Sequence, residues 1–378
     1  MAVPQFKEIR RAYGFDEITI VPGAVTINPD QVDPSFTLGS FSFPAPFLAS
    51  AMDAVVDARF AGIMHQLGGL AVMNLEGVNT RYEDPSEALR RIVQAPVEDQ
   101  TSVLQQVYAT PLKEKLIGIR VEEVKATGAT CAVSVTPQNT KRLAPLAVEA
   151  GADIIVIQST VTTARHLSKS YTGLSFSELV STVKAPIIVG NCATYGAAQE
   201  LMETGIDGIL VGVGPGAACT TREVVGVGMP QVTSTLDCAA AREEYLVRTG
   251  RYVAVITDGG MRTGGDICKA IASGADAVMV GTPFAQAKEA PGCGYNWGMA
   301  TPHAELPRGT RVSVGTQGTL KQIMYGPTSV TNGTQNLVNA LKLGMGMVGA
   351  FSIRELQQAE LAIAPSIKTE GKYYQLGF

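Results

Sequence analysis

Cys219 closes the turn Val211-Gly212-Val213-Gly214-Pro215-Gly216-Ala217-Ala218, and Thr220, Thr221 and Arg222 follow it directly. Glycines at this density let a backbone take positive φ and come close to a ligand. Successive N–H groups of such a turn can cradle an anion, and its carbonyls can hold a cation. A cysteine where the turn runs into a helix would have its thiolate stabilised by the helix dipole, which is how a cysteine becomes a nucleophile. The bland alternative is a tight turn with a small buried cysteine, and a GxGxxC alone favours it. Two features favour chemistry: the polar Thr220-Thr221-Arg222, and a second flexible segment, Gly226 to Gln231, directly after it.

Other polar residues fall at the ends of apolar runs: Ser50, Gln158, Asn191, Asp258 and the pair Gly281-Thr282. The runs themselves are Pro46 to Met52, Leu70 to Met73, Ala129 to Val135, Asp153 to Gln158, Ala185 to Gly190, Gly208 to Gly212, Tyr252 to Thr257 and Ala277 to Gly281. Each is short, rich in β-branched residues and apolar on both faces, as in a parallel sheet covered on both sides. Helical spacing separates most of them, at Val56 to Leu67, Pro85 to Gln94, Thr140 to Ala150, Ala193 to Thr204, Ser234 to Thr249 and Gly265 to Ser273. Ala150-Gly151-Ala152-Asp153, Thr204-Gly205-Ile206-Asp207 and Ser273-Gly274-Ala275-Asp276 repeat one phrase, in which a glycine closes a helix before a strand begins. Eight strands in β/α alternation predict an α/β protein, a (β/α)8 TIM barrel, as a single domain over residues 1–378. A short N-terminal cap around Phe15 to Val21 and a C-terminal helical extension from Ser352 complete it. The segment Ala95 to Thr127 reads as mixed, and Gln105 to Thr110 carries no functional signal. An open doubly wound sheet is the other candidate, but no GxGxxG lies near the first strand. In a barrel, catalytic residues come from the C-terminal strand ends, where the polar residues sit here.

Composition excludes several classes. A net charge of −4 with 17% charged residues offers no phosphate-binding field for nucleic acid. A phosphorylated small molecule would need a local nest of backbone N–H groups instead. No apolar run approaches the roughly 20 residues of a membrane span, and Met1 to Arg11 lacks a signal-peptide core. The six cysteines form no CxxC, and three histidines make a histidine metal site a poor expectation. A reducing cytoplasmic location follows, with Cys131 and Cys192 as buried thiols.

GVGPGAACTTREVVGVGMPQ resembles the active-site loop of the IMP dehydrogenase/GMP reductase family. The resemblance extends to Ser50-Ala51-Met52-Asp53, Val189-Gly190-Asn191, Thr257-Asp258-Gly259-Gly260, Gly274 to Gly281 and Tyr295-Asn296-Trp297-Gly298-Met299, nearly the whole chain. It implies that Cys219 attacks purine C2 to form a covalent thioimidate. It implies that Thr221 and Glu289 act as a catalytic pair that protonates departing ammonia in reductases. Asp258 would accept from ribose hydroxyls, with Gly260, Gly281 and Thr282 at the phosphate. Ser50, Met52, Asn191 and Gly216 would make further nucleotide contacts, and Gly298 and Met299 would cover the base. Gln158, Ser159 and Thr160 match the cofactor ribose position. The carbonyls of Gly214, Gly216 and Cys219 match a monovalent cation site, K+ in members that use one. A homotetramer or octamer is also implied.

Four departures bear on the reaction. Ala217 replaces the usual phosphate-binding serine. Gln158 stands where the family has an aspartate, which removes a repulsion against a 2′-phosphate and leans towards NADP. Ala95 to Thr127 is too short for the regulatory insertion of the dehydrogenases. Between Met299 and Thr310 there is no Arg-Tyr pair, the base that activates water in dehydrogenases. The expectation is therefore a GMP reductase that uses NADPH to convert GMP to IMP and ammonia. The alternatives are an NAD-dependent IMP dehydrogenase, with His303, Arg308 or Arg311 as the base, and a non-catalytic purine nucleotide-binding protein.

Overall fold

A computed structural model describes residues 7–167, 173–298 and 310–364. Eight parallel strands close into a barrel: Phe47–Ala49, Leu70–Asn74, Ala132–Val135, Ile154–Gln158, Ile187–Cys192, Gly208–Val211, Ala254–Asp258 and Ala277–Val280. They neighbour one another in chain order, and the eighth pairs with the first through Val278↔Phe47, Met279↔Leu48 and Val280↔Ala49. The (β/α)8 expectation holds, with strand limits within about three residues of those read from the sequence. Nearly every strand residue is buried, because the lumen fills one face and the helices cover the other. Leu48, Leu70, Val156, Ile188, Leu210, Ile256 and Met279 pack the lumen. The hairpin Phe36–Leu38/Phe41–Phe43 plugs its floor, with Phe36 and Phe43 stacked 6.0 Å apart.

The repeated Gly-x-Asp phrase has two tasks. Gly151, Gly205 and Gly274 take φ of +98°, +90° and +108°, which turns the chain from helix to strand without steric cost. Each aspartate then accepts a backbone N–H from the start of the preceding strand: Asp153 from Cys131 at 2.8 Å, Asp207 from Ile187 at 2.8 Å and Asp276 from Val255 at 2.7 Å. These stitches lie on the N-terminal face, where a barrel's polar contacts serve stability.

Two expectations need correction. The mixed segment Ala95 to Thr127 contains two helices, Gln100–Ala109 and Lys115–Ala126. The glycine-rich run Leu343 to Ala350 is mostly helix, within Leu337–Val348, and the helix after Ser352 is a single turn, Ile353–Leu356. A Cβ at Gly344 would lie 2.7 Å from Cys268 Sγ, and one at Gly346 2.4 Å from the Ile27 carbonyl oxygen. Those glycines permit close packing rather than a turn. Ile18–Ile20 pairs antiparallel with Leu361–Ile363, which joins the two ends of the described chain.

Candidate active site

A cavity of about 590 Å³ opens at the C-terminal ends of the strands. Each strand end contributes to its wall, through Ser50, Asn74, Ser134, Gln158, Asn191, Gly212, Asp258 and Gly281 in chain order. The volume falls in the range typical of small-molecule sites.

Cys219 sits half-buried at this wall, at the end of a loop bent by Gly212 (φ +147°) and Gly214 (φ +82°). Its Sγ donates to Thr221 Oγ1 at 3.3 Å. Thr221 is buried and opens a five-residue helix, Thr221–Val225, that ends at left-handed Gly226. Arg222 braces the loop from behind: its guanidinium donates to the carbonyls of Val213 and Met229. Gly214 and Gly228 leave room for it, since a Cβ on either would fall within 2.6 Å of the arginine side chain. The segment Gly226 to Gln231 is thus an ordered support. Gln231 begins the long helix Gln231–Thr249, and its Nε2 donates to the carbonyls of Val211 (2.5 Å) and Asp258 (3.3 Å). It ties the ends of the sixth and seventh strands together beneath the loop, a role that its plain glutamine in the sequence did not signal.

Asp258 lines the same cavity as Cys219, at the end of the neighbouring strand. One carboxylate oxygen, Oδ2, accepts from Asn191 Nδ2 at 2.8 Å and from Gln158 Nε2 at 3.0 Å. Gln158 Nε2 also lies 3.0 Å from Asn191 Oδ1. Burial pushes the Asp258 carboxyl up to about 6, against the opposing pull of the two amides. Gln158 is thereby engaged with Asp258, while Ser159 and Thr160 line the cavity beside it. Gly259 and Gly260, at φ of +82° and +81°, pack on Pro215, where a Cβ would approach to 3.3 and 3.0 Å. The loop after Asp258 and the cysteine loop therefore form one surface.

After the next strand, Gly281 meets Ser50 and Met52: a Cβ there would lie 3.2 Å from Met52 Sδ and 3.5 Å from Ser50 Oγ. Thr282 Oγ1 accepts from Asn296 Nδ2 at 3.3 Å, and the buried Asn296 Oδ1 has no donor among the described residues. A buried acceptor left this way costs free energy unless a ligand or water supplies a donor. Asn74, Ser134, Thr136 and Gln138 extend the wall on the far side, over a buried Glu76 that accepts from the Thr136 amide and side chain and from Asn139. None of these five stood out in the sequence. Hydroxyls and amides of this kind fit the sugar and carboxamide of a nicotinamide dinucleotide by hydrogen bonding.

Other expected residues are placed differently. Glu289 lies outside the cavity wall and accepts the Leu320 N–H at 2.8 Å, and no hydrogen bond joins it to Thr221 among the described residues. Arg311 is buried and donates to the carbonyls of Ile92, Val93 and Ala95 at the end of the helix Ser86–Gln94, so it is not available as a base. Gly298 lines the cavity; Met299, His303 and Arg308 lie outside the described residues. The Gly216 carbonyl accepts the Cys219 N–H at 3.0 Å, which occupies one lone pair of the suggested cation site. Cys131 and Cys192 are buried as expected, and burial pushes the Cys131 thiol up to about 12.

The profile of the IMP dehydrogenase/GMP reductase domain matches residues 12–371. An uncharacterized oxidoreductase of Mycolicibacterium smegmatis is 39% identical, over 94% of this chain and 97% of that protein. The inosine-5′-monophosphate dehydrogenase of Cryptosporidium parvum is 30% identical over 93% of this chain and 91% of its own length. A GMP reductase of Leishmania donovani is 34% identical over 65% and 52%. The crystal structure of an IMP dehydrogenase/GMP reductase-like protein from Corynebacterium glutamicum superposes with a TM-score of 0.90 at 34% identity, covering 96% of this chain and 97% of that one. Barrel, cysteine loop and matches over nearly the whole length agree, and the chain belongs to the IMP dehydrogenase/GMP reductase family.

Proposed function

We propose that the protein holds a purine nucleoside 5′-monophosphate on Cys219 through C2 of the base and exchanges hydride at that carbon with a nicotinamide dinucleotide. The observation that carries this reading is that Cys219 and Asp258, from the loops that end two adjacent strands, line one cavity together with Ser50, Gly260 and Gly281. Asp258 Oδ1, which faces no protein donor among the described residues, accepts a ribose hydroxyl. The positive-φ glycines at 259 and 260 and the turn at Gly281 offer N–H groups to the phosphate. When bound, the nicotinamide supplies the hydride acceptor or donor.

In the reductive direction the Cys219 thiolate adds to C2 of GMP and ammonia leaves, giving the thioimidate. Hydride reaches C2, the C–S bond breaks and IMP departs. This direction, with NADPH, is the one that the short segment between Met299 and Thr310 favours, because it holds no Arg-Tyr pair to activate water. A second reading, oxidation of IMP with NAD, has its own support. Reduction calls for Thr221 and Glu289 to act together on ammonia, and Glu289 is instead bonded to Leu320 outside the cavity.

Purified protein with GMP and NADPH, and in parallel with IMP and NAD, followed by absorbance of the reduced cofactor, separates the two. GMP-dependent loss of NADPH supports the reductase. NADH formed from IMP replaces it with the dehydrogenase, and silence in both arms contradicts the oxidoreductase reading.

A further inference from the structure

Asp53 follows Met52, yet its side chain turns away from the cavity and is 2% exposed. Its carboxylate accepts from the Val78 N–H at 3.0 Å, from Asn79 Nδ2 at 3.5 Å and from the Tyr108 hydroxyl at 2.5 Å. Gly77 is required beside it, because a Cβ there would lie 2.0 Å from Asp53 Oδ1. The Tyr108 hydroxyl in turn accepts from Trp297 Nε1 at 3.1 Å, and Trp297 precedes Gly298. Gly298 is itself close to the cysteine loop: a Cβ on it would lie 4.0 Å from the Ala218 carbonyl oxygen. One buried chain of hydrogen bonds therefore runs from the residue after Met52 to the residue before Gly298.

Tyr108 belongs to the helix Gln100–Ala109, which pairs with Ser86–Gln94 around an apolar cluster of its own that includes Ala54, Ile92, Leu104, Val107 and Trp297. The same helix pair accepts Arg311 at the carbonyls of Ile92, Val93 and Ala95, and Arg311 lies on the strand that pairs with Tyr295–Trp297. It thus grips both strands of the hairpin that carries Gly298. Packing alone is a poor account of the polar part. A fully buried carboxylate that no lysine or arginine among the described residues hydrogen-bonds is costly, and a Leu–Phe pair would fill the space without that cost.

We propose that Tyr108 is a positioning residue: its hydroxyl, bonded to both Asp53 and Trp297, sets the distance between the Ser50–Met52 wall and Gly298 and so fixes the slot in which the purine nucleotide lies. This rests on the nucleotide reading above but not on the direction of the reaction.

Trp297 is the one tryptophan of the chain, so its emission reports on this network directly. Titration with IMP and with GMP, without cofactor, gives nucleotide affinity in wild type and Tyr108→Phe. The expected result is an affinity weaker by about tenfold, the equivalent of one hydrogen bond to a charged group. The nucleotide KM should rise by the same factor and the cofactor KM should not move. Trp297→Phe, followed by calorimetric titration, breaks the link from the other end while leaving Tyr108 on Asp53. It is expected to weaken nucleotide binding in the same sense, and it decides the matter if Tyr108→Phe fails to fold. Unchanged nucleotide affinity in a folded Tyr108→Phe, or in Trp297→Phe where the first does not fold, overturns the proposal and leaves the proposed function standing. Weakened binding in a protein that turns over in neither direction sinks the proposed function and keeps this inference, and a wild type that binds neither nucleotide ends both.

Discussion

Asp258 carries its charge against the preference of its surroundings. Burial raises its carboxyl from the ordinary range to about 6. A folded value above the unfolded one means that the fold prefers the protonated form. The contribution of Asp258 to stability is then whole below about pH 4 and is lost as pH rises through about 6. At pH 8, Asp258→Asn should raise stability by about 1–3 kcal/mol, seen as a higher melting temperature, while nucleotide affinity falls. A lower melting temperature at pH 8 would argue against an enclosed, charged Asp258. In wild type, nucleotide affinity should fall as pH drops through about 6, and the Asn variant should lose that part of the dependence, leaving the phosphate's own ionisation near the same pH. At this scale the sequence was legible where a residue type stands at a strand end: Ser50, Gln158, Asn191 and Asp258 all reach the cavity wall. It was not legible for Asn296, Gln231 or Tyr108, to which the sequence assigned no role of their own and whose partners lie between 14 and 189 positions away.

Among the elements, the cysteine loop depends on glycine and arginine together. Gly214→Ala places a Cβ 2.6 Å from Arg222 Cγ at φ +82°, and Arg222 is held by two carbonyls and cannot move aside freely. Turnover should fall at least about tenfold, because a displaced nucleophile loses its attack geometry. Gly226→Ala is the control: its φ is +68° but nothing lies within 4 Å, so only the left-handed strain of about 1–2 kcal/mol is expected, read by melting temperature. Equal losses of activity in both variants would show that the bracing by Arg222 is unimportant. The Asp207 stitch on the opposite face gives the converse expectation. Asp207→Asn should lower stability by about 1–2 kcal/mol with kcat and KM unchanged, since it touches the start of a strand and not its end. The strands and the Gly-x-Asp turns were readable because burial on both faces and a positive-φ glycine leave local marks. The helices Gln100–Ala109 and Lys115–Ala126 were not, as the first mixes β-branched and polar residues and has no side-chain cap at its start. The helix Leu337–Val348 was not readable either, because only the neighbouring chain packed against Gly344 and Gly346 explains their small size.

Over the whole molecule, the barrel separates two functions by face. The N-terminal face is sealed by the Phe36–Leu38/Phe41–Phe43 hairpin and stitched by aspartates; the C-terminal face gathers loops from all eight strands around one cavity. The segment Ala95 to Thr127, too short for the regulatory insertion that the resemblance implies for dehydrogenases, holds two helices, and Tyr108 of the first bonds to Trp297 beside the site. Such a division lets the site be altered with the fold intact, and the central claim, chemistry through Cys219, can be tested on that basis. The most direct measurement compares wild type and Cys219→Ala for nucleotide binding, by Trp297 emission, and for cofactor turnover in both directions. The account predicts a variant that is folded, binds IMP and GMP within a fewfold of wild type, and shows no turnover above background; a Cys219→Ala protein that still turns over at the wild-type rate would contradict it.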